Sequence, residues 1–284
     1  MKNIAVIPNP KKDEGLKVTE KVINSLLSFG FKVLCDNKYG LPTDGVILYD
    51  AFPADADMVL VIGGDGSVID ASCLAIRHGI PLLGVNLGRV GYLTEVEPDS
   101  LGCFEKLISG EYTVEQRLLL HTQRTSLDGA VTHSDRLAVN DVVISQNGYF
   151  GIAEFMVENS RGEFVNYRGN GVIVATPVGS TAYSLSAGGP IIAHNLDSIT
   201  VTPVCPHSFF NRSIVYEPNE RITIRNTGDI MLNISVDGRN FEPIAPGESC
   251  RIFAAEHKLK MITFKANNMF SALFDKIKRP ENNV

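Results

Sequence analysis

The chain has 284 residues, 44% of them hydrophobic and 20% charged, which is enough apolar material for two domains of ordinary size. Its net charge is −6, from 26 basic and 32 acidic residues, and no basic run exceeds two residues. That argues against nucleic acid as a partner, because neutralising phosphates takes clustered cations. Five cysteines stand singly with no CxxC pair, a poor disulfide framework and a poor zinc site. The opening Met1-Lys2-Asn3 and the short apolar run behind it fall short of a signal peptide, and no apolar run reaches membrane-spanning length. A cytoplasmic, reduced protein that does not act in a membrane is expected.

In chain order, Ile4-Ala5-Val6-Ile7 predicts a strand ending at Pro8-Asn9-Pro10. Val18, Val22, Ile23, Leu26 and Leu27 recur at helical spacing, and Gly30 closes that helix. Residues 31–35 predict a second strand. Met58-Val59-Leu60-Val61-Ile62 is a continuous apolar run, as in a strand buried on both faces. Val68, Ala71, Ala75 and Ile76 suit a helix, residues 81–85 a strand, and residues 101–108 another helix. This βαβ order predicts a parallel sheet with crossover helices.

From about residue 112 the pattern changes. Residues 131–132, 142–145, 153–157, 172–175, 221–225, 230–236 and 251–254 are short, β-rich and separated by Gly, Asn, Asp and Pro. Repeated short strands at this spacing predict an antiparallel sandwich or meander. A helical insertion is expected from Ser180, and residues 268–278 read as a final amphipathic helix.

The most informative segment is Gly63-Gly64-Asp65-Gly66-Ser67, between the buried strand and a helix. Glycines let backbone amides approach an anion, and the helix start adds donors and partial positive charge. A carboxylate would repel a phosphate there. Asp65 makes sense instead as a general base or orienter for an acceptor hydroxyl, or as a contact to the magnesium on the donor. The plain alternative is a βα turn whose Asp65 caps the helix. Ile69 breaks the usual dinucleotide fingerprint, and without a Gly-Lys pair there is no Walker loop. Neither six scattered histidines nor the adjacent His207-Ser208 builds a metal or nucleophile site, and no Gly-x-Ser-x-Gly elbow exists.

The pentapeptide is shared in type by NAD kinases, diacylglycerol and sphingosine kinases, and phosphofructokinases. Further segments resemble NAD kinases in order and spacing: Gly84-Val85-Asn86-Leu87-Gly88 with Gly91-Tyr92-Leu93; Asn140-Asp141; Arg168-Gly169-Asn170-Gly171; the long run over residues 176–190; and Thr202-Pro203-Val204-Cys205-Pro206-His207-Ser208. The chain is identified as a member of that family. The resemblance implies a Rossmann-like α/β N-terminal domain with a parallel sheet (1–112, joined by the tail 265–284) and an all-β sandwich C-terminal domain (113–264).

It also implies transfer of a phosphoryl group from ATP or polyphosphate, carried with Mg2+, to the adenosine ribose 2′-hydroxyl of NAD. Relatives form homodimers or homotetramers. Asp65 matches the family's catalytic acid, and Gly66, Tyr92 and Leu93 match its neighbours. Asn140 and Asp141 match a pair that holds ribose hydroxyls. Their apolar flanks suggest a polar interruption inside a strand, costly without partners. Thr181, Ala182, Tyr183, Ser184, Leu185 and Ser186 match the dinucleotide lining, with Tyr183 offering a ring for stacking; Ser180 and Thr181 also read as helix caps. Arg168 and Asn170 would lie near that pocket, Asp237 would be a further binding residue, and Cys205 and Arg239 match more peripheral positions. Ser67 stands where many relatives have Thr, and Asn170 where the family commonly has Asp. Two rivals remain: a lipid kinase, disfavoured by the polar 181–186 lining, and a dinucleotide sensor, disfavoured by Asp65.

Overall fold

The computed structural model describes residues 2–41, 44–88, 91–134, 136–146, 152–207 and 209–264. It begins with β1 (Asn3–Pro8), α1 (Lys17–Ser28), β2 (Lys32–Asp36), β3 (Val46–Tyr49), β4 (Met58–Gly63), α2 (Asp65–His78), β5 (Leu82–Asn86), α3 (Glu105–Ser109) and β6 (Thr113–Arg117). It continues with β7 (Leu120–Thr125), β8 (Val131–His133), β9 (Asp141–Gln146), β10 (Ala153–Glu158), β11 (Phe164–Gly169), β12 (Gly171–Ala175) and α4 (Tyr183–Ser186). The rest is β13 (Ile199–Val204), β14 (Ile214–Tyr216), β15 (Arg221–Asn226), β16 (Leu232–Val236), β17 (Arg239–Ile244), β18 (Ser249–Ala254) and β19 (Leu259–Thr263).

The chain divides into two compact units, one running to Gln116 and resuming at Leu259, the other from Arg117 to Lys258. The sequence puts the first boundary at 112/113 and the second at 264/265. Both move because β6 and β19 belong to the sheet of the first unit. The expected terminal helix and the return of the tail lie outside the described residues.

The first unit is a seven-stranded sheet in the order β3-β2-β1-β4-β5-β19-β6. The pairs β3/β2, β2/β1, β1/β4, β4/β5 and β5/β19 are all parallel. Every residue of β4 is buried, which is why its sequence is apolar without alternation. The helix α1 turns Val22, Ile23 and Leu26 into the core with Ile4, Val33 and Leu60, each worth about 1.5–3 kcal/mol when fully buried. Gly79, at φ 64, ends α2 in the left-handed conformation that favours glycine. The segment expected to be one helix over 101–108 is a 3-10 turn at Leu101–Phe104 followed by the five-residue α3. The chain leaves β1 for β2 on one side and reaches β4 on the other. The carboxyl ends of β1 and β4 therefore mark the switch point where ligands bind in such sheets.

The second unit is a sandwich of two antiparallel sheets, β11-β10-β15-β18-β7-β8 and β14-β13-β12-β9-β16-β17. Phe155, Tyr167, Ile224 and Ile252 from one sheet share a core with Val142, Ile144, Val174 and Ile234 from the other. This is the expected class: an α/β unit on a parallel sheet and an all-β unit. On β9 the alternation turns Val142 and Ile144 inward, and Asp141, Val143 and Ser145 to the opposite face.

Candidate active site

In the first unit, β4 ends at Gly63 and α2 starts at Asp65. A Cβ on Gly63 would lie 2.5 Å from the Ser67 Cβ, so the tight bend excludes a side chain there. Gly64 is the N-cap, and no side chain caps the helix. The capping alternative for Asp65 is therefore not realised. Its carboxylate instead accepts the backbone amides of Tyr92 at 3.2 Å and Leu93 at 2.9 Å. These three expected residues and the exposed fourth, Gly66, gather where β4 gives way to α2. A carboxylate offers about four acceptor positions, so two amides leave capacity for a hydroxyl proton.

The loop after β5 is fastened to the bend. Leu87 donates to the Gly63 carbonyl at 2.7 Å. The Asn86 side chain accepts from the Gly88 amide at 2.8 Å and donates to Glu97 at 3.1 Å. On the other side, the Asn9 side chain donates to the Ser67 hydroxyl at 2.7 Å. Lys12 from the same loop is a residue that reading the sequence missed: a Cβ built on Gly64 would come within 2.6 Å of its Nζ. The signal was its position in the first loop of a doubly wound sheet.

In the second unit, a cavity of about 380 Å³ is lined by Asn140, Asp141, Ala182, Tyr183, Asp237 and Gly238, with Val143, Ser145 and Ser235. The first three named and Tyr183 and Asp237 were expected. Val143, Ser145 and Ser235 were missed, although the alternation of β9 could have supplied two of them. Asn140 is not inside a strand: β9 starts at Asp141. The preceding amides of Val139, Asn140 and Asp141 point at the Asp237 carboxylate, at 3.0, 2.8 and 3.1 Å. Burial, with the Asp237 charge beside it, pushes the Asp141 carboxyl up to about 7. Burial also raises Asp237, against the pull of its three amide donors.

The remaining expected residues fall elsewhere. Ser180 and Thr181 do not cap a helix. They lie in a 3-10 turn and donate to the carbonyls of Pro177 at 2.6 Å and Val178 at 3.1 Å. With α4 only four residues long, no extended helix dipole is available there. Ser184 is buried, its hydroxyl 3.1 Å from that of Thr202, whereas Leu185 is half-buried and Ser186 exposed. Arg168 is exposed and pairs with Glu154 at 3.1 Å across the β10–β11 ladder. Asn170 donates to the Val204 carbonyl at 3.0 Å, which brings Arg168, Asn170 and Cys205 together near the end of β13. Arg239 begins β17 and is exposed.

An acid beside a glycine-rich bend at strand ends in one unit, and a polar cavity in the other, suit a phosphotransferase. Residues 47–112 match the family model for the ATP-NAD kinase N-terminal domain, and residues 139–264 that for the C-terminal domain. An NAD kinase of Caldanaerobacter subterraneus subsp. tengcongensis is 35% identical, covering 98% of this chain and 99% of that relative. Yeast NADH kinase complexed with NADH superimposes with a TM-score of 0.82 at 22% identity, covering 100% of this chain and 89% of that one. An NAD kinase from Archaeoglobus fulgidus in complex with ATP gives 0.71 at 24% identity, covering 97% and 98%. At these identities the two structures speak for the fold. The chain belongs to the NAD kinase family and is a kinase enzyme.

Among the described residues no helix is long and apolar enough to cross a membrane.

Proposed function

We propose that the enzyme moves the terminal phosphoryl group of ATP or polyphosphate onto the 2′-hydroxyl of the adenosine ribose of NAD. The observation that carries this reading is the Asp65 carboxylate, held by two backbone amides at the bend that opens α2. Such an acid is fixed in place yet keeps acceptor capacity to take or orient a hydroxyl proton. The bend and Lys12 suit the donor phosphates, since amides at a helix start and an ammonium both favour anions. In the second unit, the Asn140 and Asp141 side chains suit ribose hydroxyls, and the half-exposed Tyr183 ring suits stacking on a base. Transfer then proceeds in line, helped by positioning and charge neutralisation.

Among the described residues no cluster of three or more His, Cys, Asp or Glu could cage a metal ion. Magnesium needs no such cage, being held by one or two carboxylates together with substrate phosphates. Asp65 is the carboxylate at the bend that could contribute. When bound with the donor, the ion would neutralise phosphate charge.

The test is incubation of the chain with Mg2+, NAD and either ATP or polyphosphate, with phosphorus NMR of the product. A 2′-phosphate on the adenosine ribose is expected. Phosphate at another hydroxyl, or transfer to diacylglycerol and not to NAD, would overturn the reading. Binding of NAD without turnover on any donor would make the chain a sensor.

A further inference from the structure

Asp237 and Gly238 form the two-residue turn between β16 and β17, with φ values of 51 and 69. Asp-Gly is favoured in such type I′ turns, so the turn alone could explain the pair. The carboxylate does more. It accepts the amides of Val139, Asn140 and Asp141, while the Asp237 amide donates to the Asp141 carbonyl at 2.9 Å. From the opposite side, the Thr176 amide donates to the Asn140 carbonyl at 2.8 Å, and its hydroxyl to the Val139 carbonyl at 2.6 Å. Gly179 packs so closely that a Cβ on it would run into the Asn140 carbonyl. Both backbone polar groups of Asn140 are thus committed, and the residue lines the cavity.

We propose that Asp237 is a positioning residue for dinucleotide binding: although it borders the cavity, both its oxygens are taken by the amides of residues 139–141, and it acts by fixing that backbone so that Asn140 and Asp141 meet the ribose. The proposal rests on reading the cavity as the dinucleotide pocket. It also changes the role that the family resemblance gives Asp237, from contact to support. Three converging amides need two acceptor oxygens, which a carboxylate has and an asparagine lacks. An Asn-Gly pair would make the same turn without placing a second negative charge beside buried Asp141, whose carboxyl is already pushed up to about 7. The carboxylate is therefore explained by the amides and not by the turn.

Asp237→Asn tests this in the full chain, since it keeps the turn and removes one acceptor oxygen. Two measurements are made: steady-state constants for NAD and for ATP, and hydrogen exchange at the amides of residues 139–141. We expect KM for NAD to rise ~10-fold or more while kcat and KM for ATP stay within about twofold, the split that marks lost ground-state binding. Exchange at the three amides should speed up, with amides in β12 and β13 still protected. Unchanged exchange at residues 139–141 would overturn the proposal. So would an unchanged KM for NAD, or a fall in kcat alone, which would put Asp237 in the chemistry. Should the variant not fold, Thr176→Val, which removes the opposing hydroxyl bond to Val139, must show the same KM split or the proposal falls. If the parent chain makes no NADP from any donor, the functional reading fails, and the exchange experiment still decides whether Asp237 holds this segment.

Discussion

The Asp65 carboxylate accepts the backbone amide of Leu93 at 2.9 Å, which makes one side chain both an anchor for the loop after β5 and the acid at the glycine-rich bend. Asp65→Asn keeps one acceptor oxygen and turns an NH2 group toward an amide hydrogen. Turnover is expected to drop ~100- to 10,000-fold, the range of a lost general base. NAD affinity, measured by titration, should change little. Turnover near that of the parent would leave Asp65 as a loop anchor only.

Gly66→Ala separates folding from substrate access. Gly66 is exposed in the first turn of α2, and a Cβ there meets nothing within 4 Å. Alanine should leave urea stability unchanged or raise it by up to ~0.5 kcal/mol, because it narrows the unfolded ensemble and favours helix. If Gly66 borders the substrate, the added methyl should still depress turnover. Full activity would remove Gly66 from the site. Gly179→Ala offers the contrast: its Cβ would collide with the Asn140 backbone, and overpacking of that kind costs about 1–3 kcal/mol.

Several of these elements can be read from the sequence because their signals are local. The strand β4 is apolar throughout because both its faces are buried, and α1 shows helical periodicity because one stripe enters the core. By contrast β3, with only partly covered residues, leaves little pattern, and Pro203 interrupts the reading of β13. The motif order singled out Asp65, Asn140 and Tyr183 as chemistry, but it did not carry their geometry. Apolar neighbours on both sides make Asn140-Asp141 look like the middle of a strand. The break before Asp141 comes from a carboxylate nearly a hundred residues away in sequence. Ser235 joins the cavity through its register with Val143, and register between distant strands has no local signature. The same holds for Lys12, which reaches Gly64 only because β1 and β4 are neighbours.

Lys12→Ala is expected to raise KM for ATP ~10-fold, about 1.4 kcal/mol of lost phosphate interaction. KM for NAD should stay near that of the parent. Lys12 is exposed, so thermal unfolding should hardly move. An unchanged KM for every donor would show that the ammonium beside Gly64 does not meet the phosphates.

Asp141 should leave a signature in the pH dependence of stability. In the folded chain its carboxyl holds a proton to about pH 7, because burial and the Asp237 charge both disfavour the anion. In the unfolded chain it ionises near ~3.9. Between those values the folded state binds the extra proton, so this group's contribution to stability declines as pH rises and is least favourable above 7. The other groups bearing on the pair are Arg136, ahead of β9, which acts on Asp237, and Tyr183 of α4, which lines the same cavity. Asp141→Asn removes the titration while keeping the shape. Urea unfolding at pH 5 and pH 8 should show the variant gaining on the parent by ~1 kcal/mol or more toward the higher pH. Parallel stability curves for the two proteins would mean that Asp141 ionises in the fold as readily as it does in water, and that the cavity is wetter than its lining suggests.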